Sequence, residues 1–159
     1  MIYFQSLNMY HMNNMKMLYL IHASMIVMNI NKISYMKPLP CCRNDIATNL
    51  INRNININQQ DYKGETPLHY CAAYFNLEIA ELLLQKKAQI NIIDKYGNNP
   101  LWVAVFNAHG DYRMVKLFLK YNANIQNKNR ANRSPLDFAK QINDLDLVNI
   151  LLHERSNNS

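Results

Sequence analysis

Five histidines (His11, His22, His69, His109, His153) and three cysteines (Cys41, Cys42, Cys71) are the residues of this 159-residue chain best suited to ligate a metal or act as nucleophile or base. Their spacing serves neither purpose. No His-x-x-x-His, Cys-x-x-Cys or paired-carboxylate arrangement occurs, so metal ligation and acid–base catalysis lack a constellation. Cys41 and Cys42 are adjacent, a poor geometry for pairing with each other, and Cys71 sits in a helical stretch where a small apolar residue is wanted. Three thiols without ligand spacing suit a reducing compartment, and so a cytoplasmic protein with no metal and no cofactor. Gly64, Gly97 and Gly110 are the only glycines, and they form no phosphate-cradling loop. The expectation is a protein that is not an enzyme, with no catalytic residue and no small-molecule substrate. What remains to it is surface.

The elements that carry this surface follow from composition and pattern. Apolar residues make up 49% of the chain and charged residues 18%, which suits a folded domain or a small repeat array. The formal charge of +6 invites a nucleic-acid reading, but the excess is local. Lys16, Lys32, Lys37 and Arg43 all precede the first acid, Asp45, which leaves 13 of the 17 basic residues against all 11 acids. The rest of the chain is close to neutral, and a nucleic-acid partner is not expected.

One phrase is written three times: GETPLHYCA from Gly64, GNNPLWVAV from Gly97 and NRSPLDFAK from Asn132. The prolines Pro67, Pro100 and Pro135 fall 33 and 35 residues apart, a period that signals repeats. Thr66, Asn99 and Ser134 are N-cap types whose side-chain oxygen accepts from an orphan helix N–H. Proline is tolerated at the first helical position, where its missing N–H costs nothing. Each proline therefore starts a helix, continued by Leu68, Leu101 or Leu136. A second apolar run follows each: LEIAELLLQK, YRMVKLFLKY and LDLVNILLHE. Ile79, Leu82 and Leu83, like Val115, Phe118 and Leu119, give the i, i+3, i+4 stripe of an amphipathic helix. Turns then reverse the chain before the next proline. One such pair cannot bury its apolar face, so copies must stack.

Motif and period together resemble the ankyrin repeat, whose Gly-x-Thr-Pro-Leu-His-x-Ala pattern is matched by Gly64, Thr66, Pro67, Leu68, His69 and Cys71-Ala72. The resemblance implies an all-α solenoid of stacked helix-turn-helix units with hairpin-like loops. It divides the chain into a non-repeat leader (1–43), repeats over 44–155 and a polar tail (156–159). The repeats are a degenerate half-unit (44–60) and units at 61–93, 94–128 and 129–155. In the half-unit Ile46, Leu50 and Ile51 align with Ile79, Leu83 and Leu84, while Asn49 falls where Leu82 would be core. Departures from the pattern cluster at turns. The glycine closing the second helix is Lys87 in one unit and Asn122 in the next, and the mid-unit glycine is Phe75. Two extra residues lengthen the turn around Ala108-His109. The motif histidine, implied at His69 to bond neighbouring loops, becomes Trp102 and then Asp137.

The resemblance also implies where a partner is held, on a concave side made of loop tips and the exposed edge of each first helix. Carried over residue by residue, these positions are Tyr62, Lys63, Glu65, Ala73 and Tyr74; then Lys95, Tyr96, Asn98, Phe106 and Asn107; then Arg130, Ala131, Arg133, Gln141 and Ile142. His109 on the lengthened turn joins them. Tyr62, Tyr74, Tyr96 and Phe106 put large rings where a purely structural repeat would be polar, and Tyr and Arg dominate interface hot spots. The expectation is a monomeric protein-interaction module, an adaptor or inhibitor. The stretch PLWVAVFNAHGDY further resembles small bacterial ankyrin proteins that neutralise a co-encoded toxin. The alternative is a membrane-tethered repeat protein anchored by its leader. MLYLIHASMIVM (Met17 to Met28) is apolar but shorter than the ~20 residues of a span. One period upstream of Thr66 falls on Ile33, and Pro38 and Pro40 exclude a repeat's first helix starting there. Three readings of the leader stand: a helix covering the first repeat, a disordered or mistranslated leader, or a targeting segment.

Overall fold

The computed structural model describes residues 41–53 and 55–153, apart from the side chains of residues 41–43 and 46. Among the described residues there are seven α-helices and no strand. Among these, α1 (Cys41–Asn52) precedes three pairs: α2 (Pro67–Tyr74) with α3 (Leu77–Gln85), α4 (Pro100–Phe106) with α5 (Arg113–Lys120), and α6 (Pro135–Gln141) with α7 (Leu145–His153). Proline opens each first helix. Asn99 Oδ1 accepts from the Trp102 N–H at 2.9 Å. Ser134 Oγ accepts from the Asp137 N–H at 3.1 Å, and Asp137 Oδ2 accepts from the Ser134 N–H at 3.0 Å, a reciprocal capping box. Thr66 closes its turn through a histidine instead, as described below.

The helices form two layers. The first helices α2, α4 and α6 pack side by side, as do α1, α3 and α5, and each pair closes on itself. One continuous core runs between the layers through Leu68, Leu83, Leu101, Phe118 and Leu147. On α3 the buried stripe is Ile79, Ala80, Leu83 and Leu84, with Leu82 only half-buried. This corrects the expectation that Leu82 is core, and Asn49, which aligns with it, is exposed on α1. Ala47 and Ile51 carry the buried side of α1. That helix begins at Cys41, directly after Pro40, so three residues assigned to the leader belong to it. The rest of the leader, with Met17 to Met28, and the tail lie outside the described residues. Among those described, no helix is long and apolar enough to cross a membrane.

The loops are tied together by hydrogen bonds. Asp61 Oδ1 accepts from the Lys63 and Glu65 N–H groups, both at 2.8 Å, and Asp94 Oδ1 does the same for Tyr96 and Asn98. Asn129 Oδ1 repeats the brace at 3.0 and 3.1 Å without a charge. Successive tips are joined by backbone bonds, Lys95 N–H to Lys63 O at 2.9 Å and Arg130 N–H to Tyr96 O at 2.8 Å. Gly97, at φ +80°, would place a Cβ 3.1 Å from Arg130 N and Asn129 Cα. The glycine is required both by the left-handed backbone and by the next hairpin. Asn132 takes the same place in the last hairpin at φ 56°, where no described hairpin lies over it. Phe75, Lys87 and Asn122 also adopt the left-handed region expected of the glycines they replace. Phe75 gains a compensating contact, with the Arg113 guanidinium 5.2 Å over its ring.

Candidate interaction surface

His69 shows how a first helix is locked to the loop row. Its Nδ1 accepts from the Thr66 N–H at 3.0 Å and lies 2.8 Å from Thr66 Oγ1, so Nε2 carries the proton and donates to Asn98 O at 3.0 Å. The ring is buried, and burial lowers its pKa below the usual histidine value despite the Asn98 bond. The imidazole is a neutral strut from α2 to the second hairpin, as the resemblance implied. In the next unit Trp102 does not reproduce it. Its Nε1–H is buried without a hydrogen-bond partner among the described residues, an arrangement that costs ~1–3 kcal/mol. Cys71 is fully buried and burial pushes its thiol well above the ordinary value, so it is packing material. No group of three or more His, Cys, Asp or Glu among the described residues is placed to hold a metal ion.

The expected partner-facing residues divide into three sets. Tyr62 and Tyr96 stand out from the hairpin tips, 77% and 63% exposed, and the Lys63 ammonium lies 5.7 Å over the Tyr62 ring. Lys95, Arg130, Ala131 and Arg133 are exposed on the same row, and Ala73, Gln141 and Ile142 are exposed at or near the ends of first helices. A second set is built into the frame. Asn98 is half-buried: its Nδ2 donates to Asp94 Oδ2, its Oδ1 accepts from Asn129 Nδ2, and its carbonyl takes His69. Asn107 caps α4 by donating from Nδ2 to Val103 O at 2.9 Å. Tyr74 is half-buried against the core. Glu65 is half-buried, and burial raises its carboxyl above the usual range against the opposing pull of Lys63. These four are half-buried rather than open. A third set, His109 alone, is exposed on the α4–α5 turn, at the end of α4 away from the hairpins.

Phe106 is 51% exposed, and no ring contact joins it to Tyr62 or Tyr96. It stacks on Trp102, with centroids 5.5 Å apart and planes 15° apart, one turn earlier on α4. Phe138 of α6 closes a triangle, 5.6 Å from Trp102 and 5.5 Å from Phe106. Trp102, expected as a frame residue, is thus part of a half-exposed aromatic cluster. Phe138 was missed by sequence reasoning. The available signal was the run of large apolar residues at the motif's next position, Tyr70, Val103 and Phe138.

Asparagine contributes a further set that the motif did not flag. Asn58 Oδ1 accepts from the Gln89 N–H, and Asn91 Oδ1 from the Asn124 N–H, both at 2.8 Å. Gln60 Nε2 donates to Ile93 O and Asn127 Nδ2 to Gly97 O. Each bond spans about one repeat, so the polar loops are cross-linked along the array.

Comparison with known proteins agrees with this geometry. A family model described as ankyrin repeats in three copies matches residues 39–129, more than half of the chain. Beyond the match, α6 and α7 continue the same pairing. A fowlpox virus ankyrin repeat protein is 36% identical over 76 residues, 48% of this chain and 37% of that protein. One from Acanthamoeba polyphaga mimivirus is 39% identical over 80 residues, 50% of this chain and 19% of its own length. One from monkeypox virus is 28% identical over 89 residues, 54% of this chain and 15% of its own length. The chain therefore spans well under half of each of these relatives. With the proline-started helix pairs, the stacked hairpins and the family match in agreement, the chain belongs to the ankyrin repeat family.

Proposed function

We propose that this chain is a non-enzymatic protein-interaction module, an adaptor or inhibitor, that holds a protein partner across its hairpin tips and first helices. The Trp102–Phe106–Phe138 cluster carries the reading. Three rings in mutual contact are left half-exposed, and clustered aromatic surface of this kind marks interfaces. Tyr62 and Tyr96 extend the same face at the loop tips. The protein acts as a monomer in the cytoplasm, and its partner is not a nucleic acid.

The test is capture of partner proteins by the full chain, compared with a Tyr96→Ala/Phe106→Ala variant. Truncating an anchor near the centre of a face costs ~2 kcal/mol or more, whereas a rim charge costs little. Loss of the captured protein with unchanged circular dichroism is the expected result. Retention of the same partner by the double variant would sink the reading. The narrower role, neutralising a co-encoded toxin, rests on the Pro100 to Tyr112 stretch. It is tested by whether co-expression of this chain rescues cells from a neighbouring gene's product.

A further inference from the structure

The three hairpins share one brace and differ in charge. The tip at 61–65 carries Asp61, Lys63 and Glu65, the tip at 94–98 carries Asp94 and Lys95, and the tip at 129–133 carries Arg130 and Arg133 with no acid. The net charge thus runs from −1 through 0 to +2 along a row whose members are joined by backbone hydrogen bonds. The change at the third tip is chemically specific. Asn129 keeps both backbone bonds that Asp61 and Asp94 make and drops their carboxylate. Neither Arg130 nor Arg133 has a carboxylate of a described residue within ion-pair distance. The nearby acid on α6, Asp137, is held below the usual carboxylate range first by the Ser134 backbone N–H and is taken up in the capping box.

The positive end adjoins the aromatic cluster. Arg133 Nη1 donates to Gln141 Oε1 at 3.0 Å, so its guanidinium lies along α6, within a turn of Phe138. Its remaining N–H donors suit a carboxylate. From this juxtaposition we infer that the partner presents an extended acidic segment with an aromatic or aliphatic anchor. The anchor seats on Trp102, Phe106 and Phe138, and the carboxylates meet Arg130 and Arg133. The charge gradient sets its direction, acidic end over the third hairpin. A segment laid the other way would set its carboxylates against Glu65. This rests on the binding face proposed above and specifies what that face selects.

The experiment pans a random peptide library on the full chain, then measures the affinity of enriched synthetic peptides for three proteins: the wild type, R130E/R133E and Phe106→Ala. The expected peptides are acidic beside a Phe, Trp or Leu. Their affinity falls about tenfold or more on charge reversal and also falls with Phe106→Ala. Neutral or basic peptides that need Phe106 and ignore R130E/R133E would leave the face standing and overturn the acidic partner. No enrichment, or peptides indifferent to both variants, would overturn the face as well. A single-stranded oligonucleotide that displaces the peptides, and whose own affinity drops about a thousandfold between 50 and 200 mM salt, would mean that the arginines track phosphates. That outcome also overturns the proposal.

Discussion

Gly97 and Gly110 have nearly the same backbone, at φ +80° and +88°, and opposite surroundings. A Cβ on Gly97 meets the backbone of the third hairpin, whereas one on Gly110 meets nothing within 4 Å. Alanine at either site takes on left-handed strain of ~1–2 kcal/mol, so the difference between the two variants isolates the close approach. Gly97→Ala is expected to lower the urea midpoint more than Gly110→Ala, and equal losses would show that the hairpins yield freely. Leu83 is a simpler case. It is fully buried on α3, and Leu83→Ala leaves a cavity in a core only two helices thick, costing ~2–5 kcal/mol. An unchanged midpoint would sink the stacking of α3. At surface positions the same logic separates anchors from frame. Phe106 is exposed and Asn98 is locked into three partners, although both belong to one motif-derived set.

Single helices are short here, seven to twelve residues, so their ends matter as much as their lengths. The Thr66–His69–Asn98 strut fixes the start of α2 and ties it to the neighbouring hairpin in one side chain. Because burial disfavours the charged ring and the bonds to Nδ1 need an unprotonated nitrogen, the folded protein holds His69 neutral and its pKa below the usual histidine value of about 6.5. Near and below that value the unfolded chain binds more protons, so stability is full above it and falls as the solution is acidified. The urea midpoint is expected to drop between pH 7.5 and 5.5. His69→Gln, which keeps a donor for Asn98 but does not titrate, should flatten that drop, and an equal slope in both proteins would refute the strut. The proline starts, the caps at Asn99 and Ser134 and the second-helix stripes apart from Leu82 were legible in the sequence because local residues decide them. Left-handed turns at Phe75 and Lys87 were legible because the repeat set their place. The Trp102–Phe138 contact was not, since it joins residues 36 apart that no local pattern links. Nor was the burial of Tyr74, which depends on neighbouring packing rather than on its own helix.

Across the whole array each helix pair packs on its neighbours, so stability is nearly a sum of unit and interface contributions. The position of a cavity along the stack should then matter as much as its size. Leu101, fully buried on α4, lies in the middle of the first-helix layer between α2 and α6. Ile51 is equally well buried on α1, which packs on α3. Alanine at either is expected to cost ~2–5 kcal/mol, but through different events. Leu101→Ala weakens the unit that couples both flanks, and the array should still unfold in one lowered transition. Ile51→Ala loosens α1 on α3, its main packing neighbour among the described residues, so α1 should open before the remaining helices. The chain has one tryptophan, Trp102, in the central unit, which makes the two events separable. In urea, the helical circular dichroism of Ile51→Ala should begin to fall before its Trp102 fluorescence shifts. For Leu101→Ala the two signals should move together. Coincident curves in both variants would mean that the stack behaves as one globular core rather than as coupled units.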